Sequence, residues 1–311
     1  LRELAQILRK QGADYEKFTK LWKIDWRRKH WWQKPYSRWT FDTHIVNIAM
    51  MLKSEAISHS LLGEEYTDKA EKLYGVLEKY NSTPIGVSTG DECLSGLSPV
   101  QGTELCAIVE QMYSYELLFA ETGDKKWAER LERLAFNGLP ATISDDMWTH
   151  QYVQMSNQIA CKKLTGGRHF RTNGPEAHLF GLEPEFGCCT ANFNQGWPKL
   201  ALSAFMHSGN TVINSVPVPC ELNGDGVRIR IETEYPFKNS FRYFIESDKA
   251  FTFKIRIPSF AKALKVNGEI MSTDELSFDI RKGEKREIDV CFDTEICLEK
   301  RPYGLNTAKC G

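Results

Sequence analysis

The sequence has no apolar run long enough to cross a membrane, and it has no excess of charge of either sign. A membrane-spanning helix needs about 20 consecutive apolar residues, so we expect no membrane partner. The 40 basic and 41 acidic residues nearly cancel, which leaves no overall field to favour nucleic acid. The expected partner is therefore small or uncharged.

The sequence also lacks an export pattern and a disulfide framework. No charged segment followed by an apolar one opens the chain, and of the nine cysteines only Cys188 and Cys189 are adjacent. An odd number of scattered cysteines favours a reducing compartment, and we expect a cytoplasmic location. Because the sequence opens at Leu1 and not at a methionine, the missing export pattern does not settle secretion.

What the chain does have is apolar periodicity of two kinds, and the first kind is helical. Apolar residues at steps of three and four predict a helical hairpin, with its turn at 122–124. They are Leu105, Ile108, Met112, Tyr115 and Phe119 on one arm and Trp127, Leu131 and Leu134 on the other. Similar pairs at 45–77 and 1–23 indicate stacked antiparallel helices, as in an α/α toroid, over residues 1–207.

The second kind of periodicity has a period of two and begins after His207. Val227, Ile229 and Ile231 alternate with polar residues, and Asn267-Gly268 is typical of a hairpin turn. We therefore expect an antiparallel β-sandwich over 208–311 and an α+β multidomain fold. Residues 144–187 show no clear period and are interpreted as a functional loop.

Two thiol-bearing motifs, Glu104-Leu105-Cys106 and Gly187-Cys188-Cys189-Thr190, supply donors suited to zinc. Three thiolates and one carboxylate satisfy the tetrahedral preference of that ion. The alternative is that the cysteines are buried small apolar residues, since Glu104 and Cys106 would diverge on a regular helix.

Other polar residues are candidates for catalysis or sugar binding. Glu92 lies in a glycine-containing loop and suits a general acid/base, unless it is a solvated or capping residue. The side chains of His44, His150 and Tyr152 suit sugar hydroxyls, or else are structural donors. Three tryptophans suit either a sugar platform or a core: Trp31, Trp32 and Trp39.

These motifs together resemble glycoside hydrolase family 127, the non-reducing-end β-L-arabinofuranosidases. The segments that carry the resemblance are Asp42-Thr43-His44-Ile45-Val46-Asn47, Gly90-Asp91-Glu92, Thr103-Glu104-Leu105-Cys106-Ala107, Gly187-Cys188-Cys189-Thr190, Phe253-Lys254-Ile255-Arg256-Ile257-Pro258 and Val266-Asn267-Gly268.

The resemblance implies a zinc-dependent retaining glycosidase that acts on arabinose-containing plant carbohydrates. By resemblance, Cys188 is the nucleophile, Glu92 is the acid/base, and His44, His150 and Tyr152 contact the sugar. The implied zinc ligands are Glu104, Cys106, Cys188 and Cys189. A thioglycosyl intermediate on Cys188 would then be hydrolysed with retention of configuration.

The chain departs from the family pattern in two ways. It contains roughly half the helices of the family's six-fold barrel, so it resembles a partial chain. The spacing from Glu92 to Glu104 is short, which leaves Asp91 as the alternative acid.

The sequence leaves two other functions open. One is a binding module for carbohydrate or protein with a structural zinc. The other is a two-carboxylate glycosidase that pairs Glu92 or Asp91 with Glu183 or Glu185. The sequence also leaves open whether the chain forms a homo-oligomer.

Overall fold

The computed structural model describes residues 1–23, 40–98, 101–156, 158, 160–163, 176–181, 187–301, 304 and 306–310. The chain divides into two compact units. The first contains Leu1–Trp197 and Lys300–Thr307, and the second contains Pro198–Glu299 and Ala308–Gly311. The expected domains, 1–207 and 208–311, stay a prediction.

Helices dominate the first unit. They are α1 (Arg2–Gln11), α2 (Thr19–Trp22), α3 (Ile45–Met51), α4 (Ser54–Leu62), α5 (Lys69–Asn81), α6 (Leu105–Thr122), α7 (Lys125–Arg133) and α8 (Gly187–Ser203), the last of which continues into the second unit. Short 3₁₀ turns cover Tyr15–Phe18 and Pro140–Thr142, and a π turn covers Leu134–Gly138. None of the helices in the described ranges has the length and apolar character of a membrane span.

The predicted hairpin of α6 and α7 is confirmed. Gly123 ends α6 with φ +65°, a conformation that glycine adopts without strain, and its N–H donates to Phe119 O at 2.8 Å. Asp124 then caps α7 by accepting from Lys126 N at 3.0 Å.

The core of this unit forms around α6, which is buried along most of its length. Tyr115 of α6 stacks on Trp127 of α7 with ring centroids 5.5 Å apart, and Tyr74 of α5 meets both rings edge-on. Burial of each such side chain stabilises the fold by about 1.5–3 kcal/mol. The start of α6 is thereby held in a well-packed position.

A small sheet that the sequence did not predict lies in the same unit. Its strands are β1 (Gly90–Asp91), β2 (Cys93–Leu94), β3 (Thr103–Glu104) and β4 (Val153–Gln154), in the order β2-β1-β3-β4. Each strand has two residues, too few to show a period of two. Part of the predicted loop at 144–187 therefore forms a strand.

Strands dominate the second unit, as predicted. They are β5 (Phe205–Ser208), β6 (Thr211–Asn214), β7 (Cys220–Gly224), β8 (Val227–Thr233), β9 (Ser240–Ser247), β10 (Phe251–Arg256), β11 (Lys262–Val266), β12 (Glu269–Ile270), β13 (Glu275–Ile280), β14 (Lys285–Asp293), β15 (Ile296–Glu299) and β16 (Thr307–Cys310). The sheet orders are β13-β10-β6-β5, β12-β11-β14-β9-β8-β7 and β15-β16.

The expectation of purely antiparallel pairing was wrong at one place. Strands β6 and β10 pair in parallel, with Thr211 opposite Thr252. Between them the chain passes through β7, β8 and β9 of the other large sheet, so β10 can return in the same direction as β6. Alternation shows which face of a strand is buried, as in β8, but says nothing about the direction of its partner.

Candidate active site and metal centre

Glu104 and Cys106 lie at the junction of β3 and α6. Glu104 is the residue before the helix and has extended backbone, with φ −77° and ψ 136°, whereas Cys106 is already helical. Leu105 N donates to Tyr152 O at 3.0 Å, which ties this junction to the segment before β4. Because the backbone changes conformation after Glu104, the two side chains converge instead of diverging as they would on a continuous helix.

The adjacent cysteines lie in the first turn of α8. Cys106 Sγ is 3.4 Å from Cys189 Sγ, and Cys188 Sγ is 4.0 Å from Cys189 Sγ. With one carboxylate oxygen of Glu104, the three sulfurs all lie within 4.8 Å of one another. We call these four residues the sulfur cluster. Cys106 and Cys189 are buried, and Cys188 is exposed.

The sulfur cluster has the dimensions of a tetrahedral zinc site. Two sulfurs that each lie about 2.3 Å from a zinc ion, at the tetrahedral angle, are about 3.8 Å apart. The observed separations of 3.4 and 4.0 Å bracket that value. The donor set of three thiols and one carboxylate also matches the preference of zinc for sulfur, so these residues fit the ion.

The three thiols have different acidities. Hydrogen bonds from Cys106 and then from Cys189 lower the pKa of Cys188 to about 3. The pKa values of Cys106 and Cys189 are raised, first by their hydrogen bonds with neighbouring thiols and then by desolvation. The first-turn position of Cys188 adds favourable backbone interactions to its thiolate. The exposed sulfur is therefore also the one most readily ionised.

Glu92 lies between β1 and β2 with φ +83°, a left-handed conformation that is uncommon for a residue with a side chain. His44 Nε2 is 3.1 Å from Glu92 Oε2, and the Tyr152 hydroxyl donates to Glu92 Oε1. His44, then Tyr152, lower the pKa of this carboxyl against the opposing effect of burial. Among the described residues, Glu92 belongs to a group of potential metal ligands and Asp91 does not.

Glu104 has the opposite electrostatics. It is 2% exposed, and its Oε2 has no hydrogen-bond partner within the part of the chain that the structure describes. Desolvation, followed by the charges of Glu92 and Cys188, raises its pKa well above the usual range. A buried carboxylate with a free oxygen next to three sulfurs is suited to a cation.

His150 lies at the edge of the sulfur cluster. Its Nε2 is 2.9 Å from Thr190 Oγ1, and Thr190 directly follows Cys189. The backbone of His150 pairs with Gly181 on one side and Ile143 on the other. The sequence analysis did not assign a role to Thr190, although its position next to the cysteine pair was a usable signal.

Among the described residues, the structure brings the four predicted metal ligands together and places Glu92 and His44 beside Glu104, whereas Asp91 belongs to neither group. His44 and Tyr152 meet at Glu92, while His150 reaches Thr190. The other candidates lie outside the described residues: Trp31, Trp32, Trp39, Glu183 and Glu185.

Comparison with known proteins gives two matches to one family in consecutive parts of the chain. Residues 91–202 match the catalytic domain of the GH127 β-L-arabinofuranosidases, and residues 215–279 match the GH127 middle domain. Together the two stretches cover more than half of the 311 residues. The chain belongs to glycoside hydrolase family 127. No curated protein matches it.

Solved structures of GH127 proteins share the fold of this chain. A GH127 β-L-arabinofuranosidase from Geobacillus stearothermophilus T6 aligns with TM-score 0.69 at 17% identity, over 86% of this chain and 46% of its own. A GH127 β-arabinofuranosidase aligns with TM-score 0.68 at 21% identity, over 86% and 46%. A glycoside hydrolase aligns with TM-score 0.67 at 18% identity, over 86% and 51%. The chain spans about half the length of these three proteins.

The GH127 catalytic match contains both carboxylates and all members of the sulfur cluster. His44 precedes the matched stretch, yet its imidazole reaches Glu92. The isolated bridge between His44 and Cys93, together with Ile45 N donating to Glu92 O at 2.8 Å, explains this contact.

Proposed function

We propose that this GH127 chain is the catalytic part of a zinc-dependent retaining glycoside hydrolase. Its substrate would be a terminal β-L-arabinofuranoside, or a related pentofuranoside, of an arabinose-containing carbohydrate. The observation that carries the proposal is Cys188, an exposed residue whose sulfur belongs to a set of four potential zinc ligands and whose charge acts on Glu92.

Family membership and local structure support the zinc part of the proposal. The sulfur cluster would hold the ion through Glu104, Cys106, Cys188 and Cys189. Bound zinc would keep the three sulfurs ionised at neutral pH. The burial of the Glu104 carboxyl supports a cation here, because a desolvated carboxylate without compensation is costly.

The first chemical step belongs to Cys188 and Glu92. The sulfur of Cys188 attacks the anomeric carbon, and the bond from that carbon to the leaving oxygen breaks. Glu92 gives a proton to the leaving oxygen, so the departing group is a neutral alcohol. The product on the protein is a thioglycoside of Cys188.

The second step reverses these roles. Glu92, now a carboxylate, takes a proton from water, and the oxygen of that water displaces the sulfur at the same carbon. Two displacements retain the configuration. His44 and Tyr152 lower the pKa of Glu92, which favours the carboxylate that this second step requires. The proton taken from water leaves Glu92 protonated for the next first step.

Sugar binding would involve the three polar side chains around these groups. His44 and Tyr152 contact Glu92, and His150 contacts Thr190 beside the cysteine pair. We propose that all three hydrogen-bond to sugar hydroxyls.

We also propose that the helical unit is part of an α/α toroid and that the second unit is a β-sandwich. The α6–α7 hairpin supports the first, and the 5.3 Å contact between Tyr243 and Phe253, from different sheets, supports the second.

The decisive experiment measures hydrolysis of an aryl β-L-arabinofuranoside by the purified chain. We expect turnover that stops on chelation and returns with zinc. Cys188→Ser should lower turnover by about 10³-fold or more, because a serine hydroxyl is a far weaker nucleophile at neutral pH. Cys297→Ser is the matched control, since Cys297 is an exposed thiol on β15, and it should leave turnover unchanged.

Other outcomes would favour the alternatives. Turnover that survives both chelation and Cys188→Ser would contradict the thiolate mechanism and favour a pair of carboxylates. A chain that binds zinc and sugar without any turnover would be a binding module.

A further inference from the structure

A second set of metal-ligating atoms lies directly beside the sulfur cluster. It consists of the imidazole of His44 and one carboxylate oxygen each from Glu92 and Glu104, and these atoms all lie within 4.8 Å of one another. We call these three residues the carboxylate cluster. Glu104 belongs to both clusters, so the two potential cation positions are neighbours.

The spacing within the carboxylate cluster suits a cation. Two nitrogen or oxygen ligands at about 2.0–2.1 Å from zinc, at the tetrahedral angle, are about 3.3 Å apart. His44 Nε2 and Glu92 Oε2 are 3.1 Å apart. One imidazole with two carboxylates is also a donor set that zinc accepts, with the remaining position open to water.

Glu104 can serve both positions because a carboxylate has two oxygens. One oxygen is enough for the sulfur cluster. The other oxygen matters here: Glu104 Oε2 is buried, and no residue in the described ranges hydrogen-bonds to it. A carboxylate that bridges two cations would use both oxygens, and this accounts for an oxygen that has no protein partner.

Charge balance also favours a second cation. Three thiolates and the Glu104 carboxylate on one divalent ion leave a formal charge of minus two, and Glu92 adds another negative charge beside them. Negative charge in a partly desolvated site is costly unless it is compensated. A second divalent ion would largely neutralise the pair of clusters.

We propose that His44, Glu92 and Glu104 form a second, weaker divalent-cation site, and that zinc bound there inhibits the enzyme. This inference rests on the proposed function, whose acid/base group is Glu92. A cation on Glu92 would prevent it from giving a proton to the leaving oxygen. The cation would also occupy the space beside Cys188 that the sugar needs.

The second site is weaker than the first for two reasons. It contains no thiolate, and zinc binds sulfur more tightly than carboxylate oxygen. In addition, His44 caps α3 by accepting from Asn47 N at Nδ1, at 3.4 Å. A metal at Nε2 requires the neutral ring to carry its proton on Nδ1, so the hydrogen bond that caps α3 is lost when the metal binds.

Zinc titration of the metal-free chain tests the inference without relying on activity alone. Calorimetry and elemental analysis after dialysis should show two equivalents per chain, the second with at least about tenfold weaker affinity. Hydrolysis of the aryl β-L-arabinofuranoside should rise with the first equivalent and fall with the second. His44→Ala should bind one equivalent, and so should Glu92→Gln, which keeps the shape of the side chain. His207→Ala changes an exposed histidine of the other unit and should bind two equivalents.

Each outcome has a definite meaning. One equivalent in the wild-type chain, with turnover that does not decline at high zinc, would overturn the second site and leave the proposed function intact. A second equivalent that persists in both His44→Ala and Glu92→Gln, with native circular dichroism, would also overturn it. Failure to bind any zinc would overturn both proposals.

Discussion

Glu92 and Glu104 show how strongly the surroundings of a carboxyl group control its charge. Both belong to the same site, yet the donors His44 and Tyr152 lower the pKa of Glu92, whereas desolvation raises that of Glu104. A bound cation would lower the pKa of Glu104 again, because its positive charge stabilises the ionised carboxylate that burial destabilises. Binding of zinc to the sulfur cluster would therefore release protons from Glu104 and from the buried thiols.

Another charged residue, Glu71, allows a prediction about stability. Arg130 donates two hydrogen bonds to its carboxylate, at 2.6 and 2.9 Å, and the guanidinium also covers the ring of Tyr74 at 3.7 Å. These bonds lower the pKa of Glu71 below its ordinary value of 4.5. Because the pKa of Glu71 is lower in the folded state, its ionised carboxylate stabilises the fold at pH values above the unfolded-state pKa. This contribution is lost as the pH falls through the folded-state pKa.

We predict that Glu71→Gln lowers the free energy of unfolding by about 1–2 kcal/mol at pH 7, less than for a fully buried pair because solvent screens the charges. The difference from wild type should shrink as the pH falls well below 4.5. Urea unfolding at several pH values measures this. Glu221→Gln, which removes an exposed partner of Arg228, should leave the free energy of unfolding nearly unchanged. A Glu71→Gln effect that is independent of pH would contradict the prediction.

At the scale of elements, the small sheet β2-β1-β3-β4 positions Glu92, Glu104 and Tyr152, for which we propose catalytic, metal-binding and sugar-binding roles. Glu92 follows β1, Glu104 ends β3, and Tyr152 precedes β4. Gly90 lies opposite Thr103 across the parallel pair β1–β3. Strands this short have little stability of their own, so their geometry depends on the helices that pack against them.

Gly90→Ala tests that dependence. A Cβ at position 90 would lie 2.7 Å from Ile45 Cγ2 and 2.8 Å from Ile45 Cβ, and Ile45 is a fully buried, β-branched residue that cannot easily move. We expect a loss of about 1–3 kcal/mol of stability and a large loss of turnover, because Ile45 adjoins His44. Gly75→Ala is the control: nothing lies within 4 Å of its Cβ in α5, and it should stabilise the chain by about 0.5–1 kcal/mol. Equal stability of the two variants, measured by thermal unfolding, would count against this account.

At the scale of the whole molecule, the sulfur cluster joins the start of α6 to the start of α8, which are far apart in sequence. A metal that binds only the folded state stabilises it by about 2.7 kcal/mol when its free concentration is 100 times Kd. We therefore predict that removal of zinc lowers the Tm of the chain by about 5 °C or more.

Differential scanning calorimetry with and without a chelator measures this shift. Glu104→Ala should abolish most of it, since the variant lacks one ligand of the sulfur cluster, whereas Cys297→Ser should preserve it. A zinc-dependent shift of full size in Glu104→Ala would show that the ion binds elsewhere.

Much of this organisation can be predicted from the sequence. The periodicity around Leu105 to Phe119 and around Val227 to Ile231 marks the helices and strands, because each pattern reports which face is buried. Residue chemistry also indicated the donor set, since thiols and carboxylates are the groups that zinc prefers.

The tertiary structure alone decided how these residues meet. The sequence by itself determined the long helices, the longer strands and the residues capable of metal and acid/base chemistry, because these are local properties, whereas the two-residue strands β1 to β4 were too short to show a pattern. It did not determine the convergence of Glu104 with Cys106, the left-handed conformation of Glu92, or the parallel pairing of β6 with β10. These depend on contacts between segments distant in the chain, such as Cys106 with Cys189 and His44 with Glu92, and no local pattern encodes such contacts.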